Sequence, residues 1–69
     1  MTNDKLADAL DAVALGRYYD GVALALATAH PCLTPEDSRL VLRYTIGLQH
    51  GTDHVSLQDL AIRIRNYNS

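Results

Sequence analysis

The sequence has no tryptophan, no phenylalanine, one cysteine and two prolines. Four tyrosines are its only aromatic residues apart from histidine, so a core must be assembled from leucine, valine, isoleucine and nine alanines. Cys32 alone cannot close an internal disulfide, and nothing points to an oxidising compartment. No run of about 18 apolar residues exists to span a bilayer. The opening Met-Thr-Asn-Asp-Lys lacks the basic start and apolar stretch of a secretory signal, so a soluble cytoplasmic protein is expected. Positive charge is also scarce: six Lys and Arg stand against eight Asp and Glu, a net charge of −2. That balance lacks the basic excess typical of nucleic-acid binders. A length of 69 residues excludes a two-lobed enzyme and leaves a single domain over residues 1–69.

What the chain has is apolar content, 48% of its residues, too rich for a disordered polypeptide. Size limits the use of it. A domain of about 60 residues buries only about 60% of the surface its unfolded chain exposes. Such a core supplies about 3–5 kcal/mol unless disulfides, metal or oligomerisation help. Self-association is the natural remedy here.

Eight of the nine alanines precede His30, and the obvious chain break is His30-Pro31-Cys32-Leu33-Thr34-Pro35. The segment Asn3–Ala29 reads as one long helix, with Thr2, Asn3 and Asp4 as capping candidates. Leu6, Ala9, Leu10 and Val13 form one apolar stripe, and Leu15, Tyr18, Val22 and Leu26 form a second about half a turn away. Gly16 and Gly21 fall near the change of face, but no Pro or Asn-Gly interrupts the segment. Thr34-Pro35-Glu36-Asp37 is the strongest helix start: an N-cap, a proline at the first position and two acids on the positive end of the dipole. Leu40, Val41, Tyr44 and Leu48 share a face of the helix that follows, with Leu42 and Ile46 opposite and Gly51 at the left-handed end. Ser56 caps a short last helix, with Asp59 completing a weak capping box and Val55 stapled to Leu60. Its inner stripe is Leu57, Leu60, Ala61 and Ile64, while Ile62, Arg63 and Arg65 face away and the tail from Asn66 frays. The fold expected is therefore all-α: a helical hairpin of a long N-terminal helix and a second helix after Pro31 and Pro35, plus a short C-terminal helix, paired as a homodimer.

Several kinds of chemistry are weighed against this plain reading. His30, Cys32, His50 and His54 are the available metal constellation. Structural zinc sites usually lean on more cysteines, and Gly51 keeps the last two histidines from stacking on one helix face. No metal or other cofactor is expected. Paired acids and nucleophile–base patterns are missing: Ser38 and Ser56 read as surface and cap residues, and Cys32 beside His30 reads as a structural thiol. No enzyme is expected. The last two helices resemble a helix-turn-helix in outline, which makes a small DNA-binding regulator the competing class. Against it, the connecting loop is long and Arg63 and Arg65 sit at the wrong end of the last helix. Apolar side chains lie on more than one face of both long segments, more than a lone small fold can cover, and such patches mark interfaces. Tyr18, Tyr19, Arg43, Tyr44, Ile62 and Tyr67 are the partner-binding candidates, and Leu6, Leu10, Val13, Leu40 and Leu48 are assigned to the dimer.

The whole chain also resembles the very short early proteins that transposable bacteriophages use to disable host proteins, in particular the quorum-sensing anti-activators. The likeness is carried by size, helical make-up and the run Met-Thr-Asn-Asp-Lys…His-Pro-Cys-Leu-Thr-Pro-Glu-Asp. It implies a non-enzymatic inhibitor in the host cytoplasm that docks on a LuxR-type transcription activator and on a pilus-extension ATPase. It assigns no role to any individual residue.

Overall fold

The computed structural model describes residues 2–47 and 53–67, which form α1 (Asn3–Ala14), α2 (Gly21–Thr28), α3 (Pro35–Thr45) and α4 (Asp53–Arg65). No strand occurs among the described residues. The all-helical class is as expected, but the helix layout departs from the sequence reading in three places.

The expected long N-terminal helix is two helices. α1 closes in a Schellman turn, with the Arg17 N–H donating to the Ala12 carbonyl and the Gly16 N–H to the Val13 carbonyl, each at 3.0 Å. Gly16 takes φ +72, a left-handed conformation that costs little only without a Cβ. Asp20 then caps α2, its Oδ1 accepting the Ala23 N–H at 3.0 Å. α3 starts as expected, with Thr34 at the N-cap, Pro35 in the first turn and a reciprocal capping box to Asp37. It ends sooner than expected: Ile46 is the C-cap and Gly47, at φ +82, occupies the left-handed position assigned to Gly51. Leu48, His50 and Gly51 lie outside the described residues. α4 begins at Asp53, so Ser56 lies within the helix and neither its cap nor the Val55–Leu60 staple forms. Asp53 in the first turn and Arg63 and Arg65 in the last complement the helix dipole, and at 13 residues α4 is the longest helix.

α1 and α4 run antiparallel. The Asn3 side-chain amide donates to the Tyr67 carbonyl at 3.1 Å, and Arg65 Nη2 reaches Asp8 at 2.6 Å and Asp11 at 3.4 Å. α2 and α3 form an antiparallel hairpin held by the Ser38 hydroxyl on the Thr28 carbonyl and the Tyr19 hydroxyl on the Thr45 carbonyl. The two pairs share one core, whose largest enclosed side chains are Leu10, Leu24, Val41, Leu57, Leu60 and Ile64. Ala7, Ala23, Ala27 and Ala61 are wholly buried, and their small side chains let the helix backbones come close.

This packing corrects part of the interface assignment. Leu6, Leu10 and Val13, placed at the dimer seam from the sequence, are buried in the chain's own core, where α4 covers the α1 stripe. Leu40 is half-buried against the same core. Tyr44, a partner-binding candidate, is only 2% exposed. None of the buried four is available to a second molecule without unfolding its own.

Candidate functional site

The second N-terminal stripe has the opposite fate. Breaking the helix at Gly16 turns α2 so that Ala23, Leu24 and Ala27 face inward, leaving Leu15, Tyr18, Val22 and Leu26 outside. Leu42 and Ile46, on the far side of α3 from its buried stripe, are also exposed, as are Val55 and Ile62 on α4. Single exposed apolar side chains are ordinary. Here they recur on α2, α3 and α4 of a small chain whose core is already closed.

One group converges. Leu15 at the end of α1 and Val55 and Ile62 on α4 line a single open groove of about 450 Å3, keeping 52%, 46% and 53% of their surfaces exposed. Val55 and Ile62 are seven residues apart, so they fall on one side of α4, with Asp59 between them. Gln58, Asp59, Asp11 and Arg65 complete the walls. Arg65 is held between Asp8 and Asp11, and these hydrogen bonds and charges raise its already high pKa, keeping it cationic.

The sequence-derived partner candidates are scattered by the fold. Ile62 lies in the groove. Tyr18 and Tyr19 are exposed in the α1–α2 turn, beside a second depression lined by Val13, Gly16 and Arg17. The Tyr19 ring also covers Gly21, where an added Cβ would meet it at 3.4 Å. Arg43 is half-exposed and pairs with Asp53 at 3.3 Å, tying α3 to α4. Tyr67 is not in a frayed tail: its ring meets His30 edge-on at 5.1 Å, and its N–H donates to the Ile64 carbonyl. Leu15 and Val55 were missed as site residues. The i, i+7 relation of Val55 to Ile62 was visible in the sequence, but only if α4 starts before Ser56.

His30 is a joint between three segments. Its Nδ1 accepts the Cys32 N–H at 3.2 Å, so the proton of the neutral ring belongs on Nε2, which meets Asn3 Oδ1 at 3.2 Å. Both nitrogens are thus engaged with the chain, and the ring as placed has no lone pair to offer a metal. His54 is exposed at the start of α4. Among the described residues, no three His, Cys, Asp or Glu side chains gather as a metal site would require. Burial pushes the Cys32 thiol pKa up, against the weaker opposing pull of Arg63. A thiol held protonated is a poor nucleophile.

The helix-turn-helix outline also changes. Residues 46–52 separate α3 from α4, and Arg63 is paired with Asp37 at 3.0 Å as Arg65 is with Asp8 and Asp11. Phosphates would have to compete with carboxylates already in place. No described helix is long and apolar enough to cross a membrane. In comparison with known proteins, no family model matches the chain, and no curated protein or solved structure is significantly similar to it.

Proposed function

We propose that this chain is a non-enzymatic inhibitor that binds a host regulatory protein through preformed helical surface. The supporting observation is the set of large apolar side chains left outside a closed core, Leu15, Val22, Ile46 and Ile62 among them. Helices that are already folded before contact lose little conformational entropy on binding, which favours a rigid surface with an apolar centre and a charged rim. The phage-protein resemblance supplies the candidate target, a LuxR-type transcription activator, and a pilus-extension ATPase as a further one. The mechanism is occupation: the activator is held in a complex that cannot reach its DNA.

Self-association belongs to the same reading, on a surface other than the one expected from the sequence. With the α1 stripe enclosed, the hairpin residues Val22 and Leu26 of α2 and Leu42 and Ile46 of α3 are the surface for a second copy. α2 carries no charged residue, so a two-fold pairing across it opposes no like charges. Sedimentation at tens of micromolar is expected to show a dimer that Val22→Asp converts to monomer; a wild-type monomer throughout contradicts the pairing. The function is tested by titrating the chain into a labelled activator–operator complex. Saturable loss of DNA binding is expected. An unchanged complex at high micromolar chain rejects the inhibitor reading for that target.

A further inference from the structure

The α1–α4 groove has a charge as well as a shape, and the charge restricts what can fill it. Its floor is Leu15, Val55 and Ile62. Around it stand three carboxylates, Asp8, Asp11 and Asp59, and one guanidinium, Arg65. Arg65 is claimed by Asp8 and Asp11, whereas Asp59, exposed between Val55 and Ile62, has no ion pair among the described residues. The next cation along α1, Arg17, lines a different depression. Arg63 on α4 is tied to Asp37 of α3, a residue that does not line this groove. The lining itself carries two negative charges, Asp11 and Asp59, against one positive, Arg65, a net of −1, and Asp8 adds a further carboxylate on Arg65.

We infer that this groove takes an amphipathic helix of basic character from the partner, with aliphatic side chains on the Leu15–Val55–Ile62 floor and Lys or Arg against Asp59. The inference deepens the inhibitor reading and rests on it. Two antiparallel helices make a channel that accepts a third helix, read by anchors at i, i+3 or i+4 and i+7. A second copy of this chain is a poorer occupant. Its α2 face is uncharged, and this same groove would face itself with like charges; its α3 face, Leu42 and Ile46 beside Arg39, is the surface already given to the pairing of hairpins.

The probe is a pair of synthetic helical peptides with the same Leu/Ile face, one flanked by lysines and the other by glutamates, titrated against the full chain by fluorescence anisotropy. The lysine peptide is expected to bind in the micromolar range and the glutamate peptide at least tenfold more weakly. The difference should shrink as salt is raised, because the rim charges are exposed. Asp59→Lys, at an exposed position, is expected to weaken the lysine peptide about tenfold at low salt while leaving the melting temperature unchanged. Ile62→Asp should abolish binding of both. Equal binding of the two peptides overturns the charge selection, and binding untouched by Ile62→Asp overturns the site. If neither peptide binds while the chain still strips an activator from DNA, this inference fails and the inhibitor reading survives. If both experiments are negative, both fall.

Discussion

The two helix pairs solve the same packing problem with different chemistry. α2 and α3 are joined by hydroxyl-to-carbonyl hydrogen bonds at each end, Ser38 to Thr28 and Tyr19 to Thr45, and α2 is free of charge. α1 and α4 are joined at the C-terminal end of α4, by Arg65 with Asp8 and Asp11 and by Asn3 with the Tyr67 carbonyl. Both pairs bury an aliphatic stripe in the common core, and both leave aliphatic side chains outside. In the α1–α4 groove those side chains lie beside Asp11 and Asp59, whereas α2 carries no charged residue. Similar apolar exposure has two proposed uses: the face of uncharged α2 for a second copy, and the acid-rimmed groove for a basic partner.

The comparison can be broken most severely from inside. Leu60→Ala on α4 and Leu24→Ala on α2 each remove a fully enclosed side chain and should cost about 2–5 kcal/mol. Because the whole domain holds only about 3–5 kcal/mol, either variant should be largely unfolded by circular dichroism at 37 °C. If one pair stayed helical while the other melted, the shared core would be disproved. Gly16→Ala places a Cβ at φ +72, where surrounding space is open but the backbone is not permissive. A loss of about 1–2 kcal/mol in urea unfolding is expected. Thr34→Ala removes the capping box of α3 and should cost about 1 kcal/mol, a smaller effect confined to the hairpin pair.

The smallest effects depend on pH. Desolvation pushes the Asp37 carboxyl up, but hydrogen bonds from Thr34 and the Arg63 partner outweigh it and hold its pKa below the ordinary 3.8. A lowered folded-state value means the stabilisation is present above 3.8 and lost as pH falls through the folded value. Asp37→Asn should therefore flatten the acid limb of the melting-temperature profile. At the other end, burial and then the Asp53 charge raise the Tyr44 hydroxyl above its ordinary 10.0. The contribution of its neutral form is complete below pH 10 and lost as pH rises through the folded value. Ultraviolet titration should show a tyrosine step above pH 10 that Tyr44→Phe removes.

Much of this architecture was legible wherever periodicity and caps spoke together. The Thr34–Pro35–Glu36–Asp37 start and the stripe Leu57, Leu60, Ala61 and Ile64 are found as read. The errors share one cause. Gly16, Asp20 and Gly47 are stop and start signals of a single residue each, and an apolar run on both sides of Gly16 outweighed them. Taking Leu15–Leu26 as a continuation of α1 left the stripe Leu6, Leu10 and Val13 to a dimer seam, whereas it is enclosed in the core. Tyr44 illustrates the complementary limit. Tyrosine is as suited to an interface as to a half-wet core, and only the position of α4 decides between them. Of the groove only the spacing of Val55 and Ile62 was legible, because Leu15, the third residue of its floor, lies forty positions before Val55.

The central claim is that the exposed apolar side chains serve binding and not folding. It is tested most directly by measuring the affinity of Leu15→Asp/Ile62→Asp for the proposed target, a LuxR-type activator, beside that of the native chain, with the melting temperature as the internal control. The account predicts an unchanged or higher melting temperature together with at least a hundredfold loss of affinity. Native-like affinity in the folded variant, or collapse of the fold itself, would contradict it.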